Sequence, residues 1–412
     1  MRSLALVRFP PYPPMGGSAL RNWQNICLLR QYGTVGVFSI YWGAKEQETL
    51  PGIEFWQHCN VCGAKQTLLT KVQRRLQNVR PQGHPNVDWP YSAEFAQKLS
   101  HSLEQFQPDL VFFGEIWLYR YFSTVKQYGV AVILDSHNVE GDREAVMLAS
   151  FPKWTEKLQA LIRLQQIRSI EAAFIRQATQ TWLCSPEDQA LLHKYYGNRA
   201  STWVIPNGVD VEFYQPIRQG QLLPPEELQH QSHTVLFLGL FGYGPNAEAA
   251  KILLEEIYPL LRARYPDCRI LLVGSEPTPW MQQAAQEDSC IFVTGKVPDV
   301  RPYLAAASVM VVPLRQGGGT RLKILEAFAA GCPVVSTAKG AEGIDVVDGQ
   351  NVLLRESAAG LAAGIIGLWE DSDLSNHLAV SAWELVNARY SRIGVSQQMS
   401  HAIAALPLKS CR

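Results

Sequence analysis

An excess of charge of either sign is the first thing this 412-residue sequence lacks: Lys and Arg number 37, and so do Asp and Glu. A chain with no net field has no long-range pull towards a polyanion, so no nucleic-acid partner is expected. Long apolar runs are missing as well. The N-terminal run ends at Phe9, where prolines follow, which is short for a signal-peptide core and fits a first buried strand. The best later candidate, Tyr303 to Val312, is about half the roughly 20 residues that a membrane span requires. A soluble or peripheral, cytoplasmic protein is therefore expected. Cysteine is sparse: eight residues, mostly scattered singly, argue for reduced thiols over a disulfide framework. His58-Cys59-Asn60-Val61-Cys62 has the spacing of half a zinc site, but no second half follows at a useful distance and zinc takes four ligands, so no metal centre is expected.

What is present is enough apolar material, 47% of the residues, to bury cores in the two or three domains that the length suggests. Short β-type runs alternate with helical patterns. Leu4–Phe9, Val35–Ser39, Leu110–Phe113, Val130–Leu134, Thr181–Cys184 and Trp203–Ile205 form a first series. Val235–Leu238, Ile270–Val273, Cys290–Val293, Val309–Val312 and Pro333–Ser336 form a second. Near-continuous Val/Ile/Leu strands separated by helices imply parallel sheets covered on both faces. The expected organisation is α/β, with two Rossmann-like doubly wound domains facing each other across a cleft. Residues 1–210 would form the first domain, and the last helical stretch, Ala382 to Leu406, has no strand after it. A Gln- and Pro-rich linker would occupy 211–233, and 234–385 would form the second domain. The long helical pattern from Trp154 to Ala178 reads plainly as a solvated surface helix. Its basic bias, from Lys153, Lys157, Arg163, Arg168 and Arg176, offers peripheral contact with anionic lipid as the alternative.

One segment carries most of the chemistry. A strand runs into Gly317-Gly318-Gly319, followed by Thr320-Arg321-Leu-Lys323-Ile-Leu-Glu326 and a helix that Gly331 stops. Thr320 is the natural N-cap. The glycines let backbone approach a ligand closely. Arg321 and Lys323 then fall in the first helical turn, where the macrodipole disfavours cations by some tenths of a kcal/mol. Arg321 sits at the mouth of the apolar face, and an anion at the helix N-terminus explains it best; a diphosphate matches a guanidinium fork. Glu326 lies roughly 8 Å along the helix, a fitting separation from a diphosphate to the hydroxyls of its ribose. The bland alternative makes Lys323 and Glu326 a surface ion pair.

Weaker signals accompany it. Pro13-Pro14-Met15-Gly16-Gly17-Ser18 follows the first strand, with Ser18 placed to cap the next helix. Asp135-Ser136-His137-Asn138-Val139-Glu140 follows another strand, so His137 would lie where a sheet of this kind binds ligands. Val204 to Asp210 carries a Pro-Asn-Gly turn. Gly239 to Asn246 reads as a strand-to-helix turn, since its glycine spacing is wrong for a dinucleotide fingerprint.

Taken in order, the 13–18 loop, 135–140, Cys184-Ser185-Pro-Glu-Asp188, 204–210 and 317–327 resemble the retaining GT-B-fold glycosyltransferases called group 1 or family 4. The resemblance spans nearly the whole chain. It implies a nucleotide diphosphate sugar as donor and a glycan or lipid-linked acceptor, with no cofactor and no metal. Arg321 and Lys323 would hold the diphosphate and Glu326 the ribose, with Val297 near the base. Gly16, Gly17 and the 317–320 loop would approach the donor, His137 would line the sugar site, and a C-terminal helix in 386–412 would cross back to complete the first domain. A hexosyl group would be transferred with retention, the donor phosphate accepting the acceptor's proton. The chain departs from the family in two places. The first of two glutamates spaced by seven residues falls at Gly318, and the stretch after Leu238 lacks the Arg and Lys often set against the diphosphate. Gly318 gives a catalytically silent nucleotide-sugar binder its one support. An epimerase on the same fold lacks the acid/base carboxylates it needs.

Overall fold

The computed structural model describes residues 1–14, 16–41, 49–61, 82–149, 153–198, 201–229, 233–318 and 321–407. The chain divides into two compact units, 1–206 with 396–412, and 207–395. The first is built on a seven-stranded parallel sheet of order β3-β2-β1-β4-β5-β6-β7. Its strands are Arg2–Arg8 (β1), Thr34–Tyr41 (β2), Phe55–Asn60 (β3), Leu110–Phe113 (β4), Ala131–Ser136 (β5), Gln180–Leu183 (β6) and Thr202–Val204 (β7). The second holds a six-stranded parallel sheet, β10-β9-β8-β11-β12-β13. Its strands are Thr234–Leu238 (β8), Arg269–Val273 (β9), Ile291–Val293 (β10), Val309–Val312 (β11), Val334–Ser336 (β12) and Leu353–Leu354 (β13).

These are two Rossmann-like α/β units, and the apolar runs explain them. Leu4–Val7 of β1, all of β4, all of β8 and all of β11 are buried. Strands with both faces covered need apolar side chains at every position, not alternate ones. In each sheet the strand order reverses once, between β1 and β4 and between β8 and β11, leaving a crevice at the carboxyl ends of those strands where such sheets bind ligands.

The structure corrects several expectations. The stretch 211–233 is not a bare linker: Val211–Arg218 is a helix capped by Asp210, and Tyr214 and Leu228 are buried in the second unit's core. Its Gln and Pro content hid two anchoring side chains. The long helix, Trp154–Gln177, is a surface helix only in its first turns; Leu164, Ile167, Ile170 and Phe174 pack into the first core. β3 went unread because it is a half-exposed edge strand, Phe-Trp-Gln-His-Cys-Asn, without the Val/Ile run of its neighbours. β13 is too short for any periodicity. Chain from 396 onward belongs to the first unit, where Gln180 Nε2 donates to the Ala402 carbonyl at 2.8 Å.

Candidate active site

In the second unit the glycine loop leaves β11 at the reversal point, directly beside the 239–246 loop that leaves β8. The helix that follows spans Leu322–Ala330, buries Ile324, Leu325, Ala327, Phe328, Ala329 and Ala330, and ends at left-handed Gly331 as expected. It begins later than expected. Arg321 itself occupies the N-cap position; Gly319 and Thr320 lie outside the described residues.

Arg321 is 7% exposed. Its guanidinium turns back onto the loop, donating to the Gly318 carbonyl at 2.7 Å and the Gly317 carbonyl at 2.9 Å, with the Lys339 carbonyl at 3.5 Å. Its Nε is buried without a hydrogen-bond partner, and it forms no ion pair among the described residues. Burial pushes its pKa down, only partly opposed by Glu342 and Tyr243. A buried cation without a counter-ion carries a desolvation cost of several kcal/mol, which an incoming anion offsets. Gly317 makes the loop's turn at φ 106, and a Cβ there would stand 3.3 Å from the Tyr243 hydroxyl, so glycine is required.

Lys323 is half-buried, its ammonium 4.3 Å above the Phe237 ring and 3.0 Å from the Asn246 Oδ1 to which it donates. That bond ties the helix after β11 to the one after β8. Burial first, and the Arg321 charge second, push the ammonium down to about 7. Glu326 is hydrogen-bonded by the Tyr214 hydroxyl; burial raises its pKa against that bond and against Lys323. The bland ion pair is therefore not what holds these residues: each has found a different partner. Val297 is partly buried against the second core, two residues after left-handed Gly295.

In the first unit, Gly16 at φ 92 caps the helix Gly17–Leu29 with its backbone, and open space surrounds both glycines where a Cβ would stand. Ser18 does not cap; it lies inside the helix. His137 Nε2 lies 3.1 Å from Asp135 Oδ2. Asp135 is fully buried and held by a two-pronged Arg21 guanidinium (2.9 and 2.6 Å) and by Asn25 at 3.0 Å. Burial works against the Asp135 charge, but Arg21 and then His137 more than offset it and keep its pKa low. Arg8 at the end of β1 pairs with Glu115 just beyond β4, across the reversal point. His58 and Cys59 lie on β3, with the Cys59 thiol pushed up to about 11 by burial, while Cys62 lies outside the described residues. No group of three or more metal-binding side chains is found among the described residues.

The family model for group 1 glycosyl transferases matches residues 232–371, and that for glycosyltransferase family 4 matches residues 61–213. This is a GT-B-type glycosyltransferase. Sucrose-phosphate synthase from Thermosynechococcus elongatus shares the fold at TM-score 0.70 and 18% identity, over 98% of this chain and 99% of its own. HepE from Anabaena in complex with UDP-glucose matches at 0.67 and 16%, over 98% and 100%. WaaG, a glycosyltransferase involved in lipopolysaccharide biosynthesis, matches at 0.64 and 15%, over 98% and 100%. No curated relative matches the chain.

Sequence reasoning about this glycosyltransferase missed Tyr214, Asn246, Arg21 and Glu115. Tyr214 sat in a segment read as linker, and Asn246 in a turn whose glycines drew the eye. Arg21 left no local signal: Asn22 and Asn25 are buried on the same helix, so its inward face is mixed and a cation does not stand out in it. The buried carboxylate that receives it, Asp135, lies 114 residues away, and no local pattern connects the two.

Proposed function

We propose that this glycosyltransferase moves a hexosyl group from a nucleotide diphosphate sugar to a glycan or lipid-linked acceptor, with retention of configuration and without a metal. Polysaccharide or cell-envelope assembly fits the kind of work WaaG does. The observation that carries the reading is Arg321: a buried guanidinium with no counter-ion among the described residues and an unused Nε, at the start of a helix entered from a glycine turn. Lys323 adds a second cation in that first turn. Glu326, one turn on, supplies an acceptor for ribose hydroxyls once Tyr214 yields or shares its bond. In the first unit, His137, oriented by Asp135, would line the sugar site, and Gly16 and Gly17 leave room for close backbone approach. The departing diphosphate, steadied by Arg321 and Lys323, would take the acceptor's proton.

Thermal-shift measurements with UDP, GDP, ADP and their sugars, without metal, test this. One nucleotide should raise the melting temperature, and Arg321→Ala and Glu326→Ala should abolish the rise. Hydrolysis of the matching sugar nucleotide then separates an enzyme from the silent binder that Gly318 would allow. A protein whose Arg321→Ala variant keeps the wild-type shift does not hold its donor this way.

A further inference from the structure

Large apolar side chains left in solvent are not scattered evenly over this molecule. Of the seventeen exposed ones among the described residues, six lie between 146 and 162: Val146, Met147, Trp154, Leu158, Leu161 and Ile162. Trp154 is 75% exposed. They sit on two helices that pack together, Glu140–Ala149 and the first turns of Trp154–Gln177. At about 100° per residue, Trp154, Leu158, Leu161 and Ile162 fall within one arc of roughly 100°. Ala160, Leu164 and Ile167, which are buried, fall on another. The second helix is thus apolar on two separate faces, one turned to the core and one turned away from it. A monomer gains nothing from the outer stripe, and patches of this kind mark a contact.

The charges beside the stripe say what it contacts. Lys153 and Lys157 flank it, and both are exposed. Lys153 shares Glu156 at 3.8 Å, while Lys157 has no carboxylate within ion-pair distance among the described residues. Arg143, on the first helix, is committed to Glu140 at 2.9 Å. In a chain whose overall charge is zero, this local excess of cations beside a Trp and three aliphatic side chains is the composition of a helix that lies in a bilayer interface. A second copy of the chain fits less well, because a two-fold contact centred on the stripe would bring the flanking lysines of both copies into one interface, where Lys157 has no carboxylate partner among the described residues. We infer that the outer face formed by 146–147 and 153–162 docks on an anionic lipid surface, with Trp154, Leu158, Leu161 and Ile162 entering the headgroup boundary and Lys153 and Lys157 meeting lipid phosphates. No helix among the described residues is long and apolar enough to cross a membrane, so this contact is one of lying on the surface. It is independent of the donor assignment.

The full chain is mixed, without nucleotide, with vesicles of phosphatidylcholine alone or with about a third phosphatidylglycerol, and sedimented. Binding to the anionic vesicles only, weakening as salt rises, is expected. Trp154→Glu with Leu158→Glu should lower partitioning at least about tenfold. Lys153→Ala with Lys157→Ala should lower it by roughly ten- to thirtyfold, at about fivefold per cation. Both pairs change exposed side chains, so the melting temperature should hold and report intact folding. Equal recovery in the supernatant with both vesicle types overturns the inference. So does binding that neither variant weakens. A dimer by light scattering that the Glu pair converts to monomer, without vesicle binding, overturns it in favour of a second copy. Because no nucleotide is present, failure here leaves the donor reading standing, and failure of the donor reading leaves this one.

Discussion

Lys323 makes donor binding depend on pH in a direction set by its surroundings. Its ammonium titrates near 7 in the free protein, against 10.5 for an ordinary lysine. A diphosphate beside it would restore the charge and carry the pKa back up, so binding above neutrality takes up a proton. By pH 7.5 about a quarter of free molecules are charged at Lys323, and by pH 9 about one in a hundred. If the complex stays protonated, affinity for the nucleotide that shifts the melting temperature falls roughly twentyfold between those values. A terminal phosphate finishes its own second ionisation near pH 6 to 7, so it does not mask the trend. Titration calorimetry at pH 8, in two buffers of different ionisation enthalpy, should register close to one proton taken up per nucleotide. Lys323→Arg, charged throughout, should flatten the profile and abolish the uptake. The ligand-free protein supplies an opposite sign as control. The unfolded chain binds the Lys323 proton more tightly than the folded one, so this group makes stability rise as pH climbs from about 7 to 10.5. Affinity that stays constant from pH 7.5 to 9, with no proton uptake, would refute the placement of Lys323 against the diphosphate.

Three other outcomes are expected. Tyr214→Phe leaves the buried Glu326 carboxyl without its hydroxyl donor; chemical denaturation should show a loss of about 1–3 kcal/mol, and no loss would mean that the hydroxyl is not Glu326's support. Asp135→Asn removes the counter-ion of the buried Arg21 and the partner of His137; a destabilisation of about 3–5 kcal/mol in the first unit is expected, and a variant as stable as wild type would contradict the burial of that pair. Gly274→Ala should fail to fold or lose several kcal/mol in the second unit, since φ is 150 and a Cβ would stand 1.7 Å from the Gly239 carbonyl oxygen; a normal melting curve would show that the loops after β8 and β9 do not meet so closely.

The sheets could be read from the sequence because a parallel strand buried on both faces leaves a contiguous record: Leu110–Phe113 and Val309–Val312 match β4 and β11 residue for residue. Edges leave less. β3 mixes Gln, His and Asn with aromatics because one side of it has no neighbouring strand among the described residues and its side chains are mostly half-exposed. The segment 211–233 misled for a different reason. Its composition is that of a loop, yet Tyr214 and Leu228 fasten it to the second core, and two anchors in about twenty residues make no period.

The site was legible in its residue types but not in its conformations. Arg321 and Lys323 stood out as cations at the wrong end of a helix, a local conflict that sequence alone exposes. What they touch differs in reach. The guanidinium folds back onto the carbonyls of Gly317 and Gly318, and the ammonium crosses to Asn246, 77 residues away. The Lys323 contact follows from the strand order: the reversal between β8 and β11 sets their two exit loops side by side. The same geometry bears on Gly318. The guanidinium already uses the Gly318 carbonyl, so a carboxylate at 318 is within a side chain's reach of a cation that has no counter-ion among the described residues. With glycine there, the cation is left for the donor to neutralise. Gly318→Glu should therefore raise the stability of the ligand-free protein, and a variant with the wild-type melting temperature would show that a carboxylate in this loop does not reach Arg321.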